Sequence, residues 1–122
     1  GPVDVATLNH HGNRDSQNIF FVRTLKPRVW IQQNWSSDHP GEEVLRRITS
    51  KELYPGERDI FSTIMLQPTK DVIGDRLDQY KSQNGHIVVR VYDKGSQYEI
   101  YILNDDLEER EIIAKYGPYE AR

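Results

Sequence analysis

The sequence predicts an α/β domain built on one mixed β-sheet with flanking helices. Short runs rich in Val, Ile and aromatic residues alternate with stretches whose apolar residues recur at helical spacing. Two alternating runs joined by Asp93-Lys94-Gly95-Ser96 then give a strong hairpin pattern. The chain has 122 residues, which is one domain's worth.

The first stretch, Val3 to Ser16, reads VDVATLNHHGNRDS. Val3, Val5, Ala6 and Leu8 make a short strand that delivers two histidines to a turn, where Gly12 gives the backbone latitude. Neighbouring residues of an extended segment point to opposite sides, so at most one histidine would aim at a shared site unless the turn has begun. Asp15 or Ser16 can cap a helix running to about Leu25, with Ile19, Phe20, Val22 and Leu25 on its apolar side and Lys26-Pro27 as its stop. Arg28 to Gln33 reads as a strand with Val29 and Ile31 on one face and Trp30 on the other.

A polar loop, Asn34 to His39, carries Trp35. Pro40 fits the first turn of a helix, where its missing N–H costs nothing. Glu42 and Glu43 suit that helix's start and Arg46, Arg47 and Lys51 its end, around a stripe of Val44, Leu45 and Ile48. Tyr54-Pro55-Gly56 is a turn, and Ile60 to Leu66 a strand. Pro68 to Ser82 is a candidate helix, in which Gly74 costs about 1 kcal/mol relative to alanine. His86 to Tyr92 and Gln97 to Leu103 form the hairpin. The acidic start at Asp105 suggests a last helix to about Tyr116, stopped by Gly117-Pro118.

Composition narrows the function classes. The hydrophobic fraction is 36%, the mean hydropathy −0.76 and the net charge −3, with both signs interspersed. Non-specific nucleic-acid binding relies on neutralising phosphates with Lys and Arg, so nucleic acid is not an expected partner. No apolar run approaches the roughly 18 residues that span a bilayer, and no signal-peptide pattern is present, so the expected location is the cytoplasm with no membrane partner. With no cysteine, any metal must be held by histidine and carboxylate. Gly1-Pro2 reads as the remnant of a cleaved tag and is set aside.

The residues offer a sparse set of chemical groups. His10 or His11, with His39 and one of Asp4, Asp15 or Asp38, could hold zinc, which needs about three protein ligands at a catalytic site. Taken singly, a capping or surface histidine is the commoner case. Asp15 and Ser16 are better read as helix caps, Asp4 as a carboxylate that orients a histidine, and His86 as structural. Trp30 reads as core, Trp35 as a possible substrate wall. Tyr92, Tyr98, Tyr101, Tyr116 and Tyr119 read as a packing face, since little positive charge lies among them.

Asp4, His10-His11-Gly12, Lys26-Pro27 and His39-Pro40 occur in an order and spacing that resemble the C-terminal half of a metallo-β-lactamase-fold metallohydrolase. The nearest branch is that of bacterial DNA-uptake competence proteins and phosphorylcholine esterases. Asn9 and Asn13 stand where that pattern has proline and serine. The tail from Gly85 onward is similar to the family's closing segment. The resemblance implies half of an αββα four-layer sandwich. It also implies a zinc-dependent hydrolase of phosphodiester or related ester bonds, with His10 as metal ligand and His11 and His39 as catalytic or substrate-contacting groups. The family's His-x-His-x-Asp-His motif is not in this sequence. The expected partner is therefore a missing N-terminal half, and the chain alone is expected to be inactive and to bind zinc weakly or not at all. An inner sheet face left bare would drive homodimerisation. The alternative is a non-catalytic interaction or dimerisation module derived from the same fold.

Overall fold

The computed structural model describes residues 1–106 and 108–122. It is an α/β fold whose strands form two separate sheets rather than one mixed sheet. Strands β1 (Val5–Thr7), β2 (Val29–Gln32), β3 (Asp59–Ser62) and β4 (Tyr80–Ser82) are parallel, in the order β1-β2-β3-β4. Strands β5 (His86–Tyr92), β6 (Gln97–Leu103) and β7 (Ile112–Glu120) form an antiparallel sheet in chain order. Helices α1 (Ile19–Leu25), α2 (Glu42–Thr49) and α3 (Gln67–Ile73) make the crossovers of the parallel sheet.

Because each parallel strand adds beside its predecessor, without reversal, successive crossovers of the usual right hand all land on one face. That is where the helices pack. Val22 of α1 and Val44, Leu45 and Ile48 of α2 close over Trp30 and Ile60, with Leu8, Tyr54, Leu77 and Tyr80 around them. The opposite face, Val29, Ile31 and Phe61, packs against Tyr98, Ile100, Ile102 and Tyr119 of the antiparallel sheet. The order of layers is helices, parallel sheet, antiparallel sheet. The central strands are buried from both sides, as the all-buried pattern of β2 records.

This arrangement corrects the expectation of a bare sheet face. The face expected to await a missing half is covered by the chain's own hairpin and last strand. The tyrosines do part of this covering: Tyr98 and Tyr119 stack with ring centroids 5.0 Å apart, and Tyr116 meets Phe61 edge-on at 5.0 Å.

Three elements depart from the sequence reading. Asn18, not Asp15 or Ser16, caps α1, its side chain accepting from the Phe21 N–H at 2.9 Å. The stretch read as one helix from Pro68 to Ser82 ends at Ile73, where Gly74 takes φ +65°. It continues as a 3-10 segment into β4. The last helix is instead strand β7, although Leu107 of that stretch lies outside the described residues. Ile112-Ile113 and the tyrosines favour strand over helix. Gly117-Pro118, read as a stop, lies within β7, which tolerates proline because it is an edge strand.

Candidate functional site

The site grows from the C-terminal ends of β1 and β2. Leu8 is buried and its N–H donates to the Ile31 carbonyl at 2.9 Å, which fixes where the chain leaves the sheet. Asn9–Gly12 then turns in a 3-10 segment in which His10 (φ 47°), His11 (φ 56°) and Gly12 (φ 86°) are all left-handed. Two successive non-glycine residues in that region are uncommon, and such strain persists only where surroundings impose it. Here they do. The Gln32 side-chain amide donates to the His11 carbonyl at 3.0 Å, and the Gly12 carbonyl accepts from Gly41 N–H at 2.9 Å. A Cβ on Gly12 would lie 3.0 Å from Leu8 Cδ1, so the position is closed to larger residues by space as well as by φ.

The turn has begun before the histidines, so both rings reach the same rim. The centroids of His10 and His11 are 6.4 Å apart, and those of His39 lie 6.2 Å and 5.6 Å from them. His39 stacks on His11 at an interplanar angle of 23°. Trp35, largely exposed, stands edge-on to His11 at 6.1 Å and to His39 at 6.2 Å. Residues 29 positions apart in the chain are thus gathered into one patch of three imidazoles and an indole.

Hydrogen bonds set the state of the first two rings. His11 Nδ1 lies 2.6 Å from the Gln33 carbonyl, which can only accept, so Nδ1 donates and Nε2 keeps its lone pair. His10 Nδ1 faces the Asp15 carboxylate at 3.1 Å, with the same consequence. This is the tautomer and the second partner that metal-ligating histidines generally show. Asp15, expected as a cap, is therefore the carboxylate that orients His10. Asp4, expected to orient a histidine, sits at the other end of β1 and accepts from the Arg122 N–H at 3.1 Å.

His39 is only 3% exposed and lies beneath the other rings. Its Nε2 is 3.6 Å from the Asp38 carboxylate, and its buried Nδ1 has no partner among the described residues. The Ser36 hydroxyl, donating to Asp38, holds that carboxyl below its ordinary value; desolvation opposes this, and the His39 and His10 imidazoles reinforce it. Pro40 stands before Gly41, the N-cap of α2, rather than inside the helix.

The loops that carry these rings are pinned by residues whose role was not legible in sequence. The Asn34 amide donates to the carbonyls of His39 (3.2 Å) and Ile64 (2.9 Å), and Thr69 Oγ1 donates to Ser37 (2.6 Å). Arg47, read as a charge at the end of α2, reaches across to the carbonyls of Ser16 and Gln17, both at 2.8 Å. Gln32 is fully buried, and its side-chain amide oxygen accepts from the Tyr80 hydroxyl, which ties the histidine turn to β4. Burial pushes the Tyr80 hydroxyl well above its usual pKa and keeps it a donor. His86 lies on β5, 2.9 Å from Arg110, and takes no part. Trp30 is core, donating to the Tyr54 hydroxyl at 2.9 Å.

The donor set suits zinc in kind, since two imidazoles present Nε2 lone pairs with Nδ1 engaged. It does not make a closed site. Among the described residues no group of three or more His, Cys, Asp or Glu is gathered to hold an ion. Among them too, no helix is long and apolar enough to cross a membrane. Comparison with protein-family models, with curated proteins and with solved structures finds no match to this chain.

Proposed function

We propose that this chain supplies the histidine side of a hydrolytic zinc centre, in the manner of the C-terminal portion of a metallo-β-lactamase-fold hydrolase acting on phosphodiester or related ester bonds. One observation carries the reading. His10, His11 and His39 converge within 5.6–6.4 Å, and the two outer rings have Nδ1 committed to acceptors. Structural histidines scattered over a surface have no reason to share both features.

In this reading His10 is the ligand, held in its tautomer by Asp15. His11, fixed by the Gln33 carbonyl, contacts the substrate or serves as a further ligand. His39 keeps one ring nitrogen for a group that arrives with substrate or with the rest of the site. Trp35 walls the rim against water. A zinc ion there would act as a Lewis acid on the scissile group. The remaining ligands would come from residues beyond those described here.

The test has two arms. Zinc titrated into the chain should bind more weakly than micromolar and perturb His10 and His11 before any other histidine. Once the complementary half is supplied, zinc-dependent hydrolysis of bis(p-nitrophenyl) phosphate should be lost in His10→Ala. Asp15→Asn should weaken zinc affinity by about 10–100-fold. Stoichiometric sub-micromolar zinc binding by the chain alone, or zinc perturbations that bypass His10 and His11, would overturn the proposal.

A further inference from the structure

The turn between His10 and α1 concentrates two destabilising features in one residue. Gln17 is 2% exposed and takes φ 51°, the left-handed region that glutamine rarely enters. Its side-chain oxygen accepts from the Asn9 N–H at 2.8 Å, and its backbone carbonyl accepts from Arg47 Nε, also at 2.8 Å. With the oxygen engaged in this way, the amide nitrogen is fixed as the free end. That nitrogen, Nε2, is buried and has no acceptor among the described residues. A buried donor without an acceptor calls for an explanation, and strained backbone gathers where ligands are held.

Gln17 lines a cavity of about 260 Å³, whose wall it shares with Asn9, His10, Asp15, Asn18 and Phe21. Two more polar groups on that wall have capacity to spare. Asn18 uses its side-chain oxygen to accept from the Phe21 N–H at the cap of α1, and its Nδ2 makes no hydrogen bond among the described residues. Asp15 engages one carboxylate oxygen with His10 Nδ1 at 3.1 Å and keeps the other. The cavity therefore offers two amide donors and one carboxylate acceptor beside a partly buried aromatic ring.

That mixture selects among ligand chemistries. A phosphate or carboxylate oxygen would take the amide hydrogens but bring a second negative charge against Asp15. An ammonium group would suit Asp15 and leave Gln17 Nε2 without an acceptor. A hydroxyl satisfies both, because it donates one hydrogen and accepts through two lone pairs. We therefore infer that this cavity binds a hydroxyl-bearing group, a polyol or sugar, as one arm of the ester substrate. The choice of a hydroxylated ligand follows from the cavity alone. Its assignment as a substrate arm rests on the function proposed above, since His10, the proposed zinc ligand, forms part of the same wall.

Glycerol is the probe, and 1-propanol, the same carbon chain with a single hydroxyl, is the control. Titrated into the nitrogen-labelled chain without zinc, glycerol should shift the side-chain amides of Gln17 and Asn18 together and saturate in the millimolar range. The control should bind at least about tenfold more weakly. Gln17→Glu keeps an oxygen for the Asn9 N–H but removes the donor, and should abolish the response. Asn18→Ser keeps a capping oxygen and removes the other donor, so it should weaken glycerol about threefold even where Gln17→Glu does not fold. Shifts that never saturate, an equal response to 1-propanol, or Asn18→Ser binding glycerol as the unmodified chain does would overturn the inference. So would a long-lived water on Gln17 Nε2 that glycerol does not displace, because the donor would then be satisfied without a ligand. No zinc takes part, so a negative result here leaves the zinc centre standing, and zinc that bypasses His10 leaves these shifts unchanged.

Discussion

The two sheets solve the same problem in opposite ways. The parallel sheet is short-stranded, and its central strands β2 and β3 are covered on both faces, so its identity depends on what covers it. The antiparallel sheet has longer strands, one face on the core and one facing water. The first exposes only its ends, and its chemistry is accordingly at the C-terminal ends of β1 and β2, where loops leave a fixed frame. The second exposes a face and an edge, and offers contact rather than chemistry. The rim is thus held by the burial below it, whereas the hairpin keeps one face in water.

Substitutions can break that contrast. Phe61 lies at the contact between the sheets and is fully buried. Phe61→Ala should cost about 3–5 kcal/mol in urea unfolding, whereas Val91→Ala on the exposed edge should stay within about 0.5 kcal/mol. Similar values at the two sites would show that the sheets do not share a core.

Tyr119 tests the same contact through a polar group. Its hydroxyl donates to Asp59 at 2.6 Å, and burial first, then that carboxylate, push its pKa far above the usual value. Tyr119→Phe should therefore cost about 1.5–3 kcal/mol, the range for a hydrogen bond to a charged group. Gly12→Ala attacks the rim instead, by forcing a side chain into φ 86° against Leu8. A cost of about 1–3 kcal/mol is expected, with the His10 and His11 resonances moved more than those of β5 and β6.

The smallest effect concerns pH. Lys115, donating to Glu99 at 2.8 Å, holds that carboxyl below its ordinary value, against desolvation and with help from the Tyr92 and Tyr101 hydroxyls. A carboxylate with a depressed folded-state pKa contributes stability that is complete above the ordinary carboxylate pKa and lost as pH falls through the folded value. Glu99→Gln should therefore flatten the acid limb of the stability curve while leaving it unchanged near neutrality in shape.

Much of this was legible in sequence because it rests on local pattern. The faces of Val29, Trp30 and Ile31, the stripe of α2 and the hairpin from His86 to Leu103 all follow from periodicity. The sheet pairing was not, since one mixed sheet and two stacked sheets need the same local signals. The end of the chain misled because an acidic run resembles a helix start, and because Gly117-Pro118 punctuates an edge strand as readily as it stops a helix. At the rim, the histidine pair and His39 were visible as residue types. Their convergence depends on left-handed backbone at two successive non-glycine positions, which remains uncommon even for histidine. Asp15, Gln32 and Arg47 act through partners 5 to 48 residues away, so their roles emerge only in three dimensions.

The account turns on the histidine rim, and a long-range proton–nitrogen correlation spectrum of the labelled imidazoles reads it directly. At a pH where the rings are neutral, His10 and His11 should both carry their proton on Nδ1 and leave Nε2 bare, with contacts from both rings to His39. A spectrum showing His10 and His11 protonated on Nε2, with no contact to His39, would contradict it.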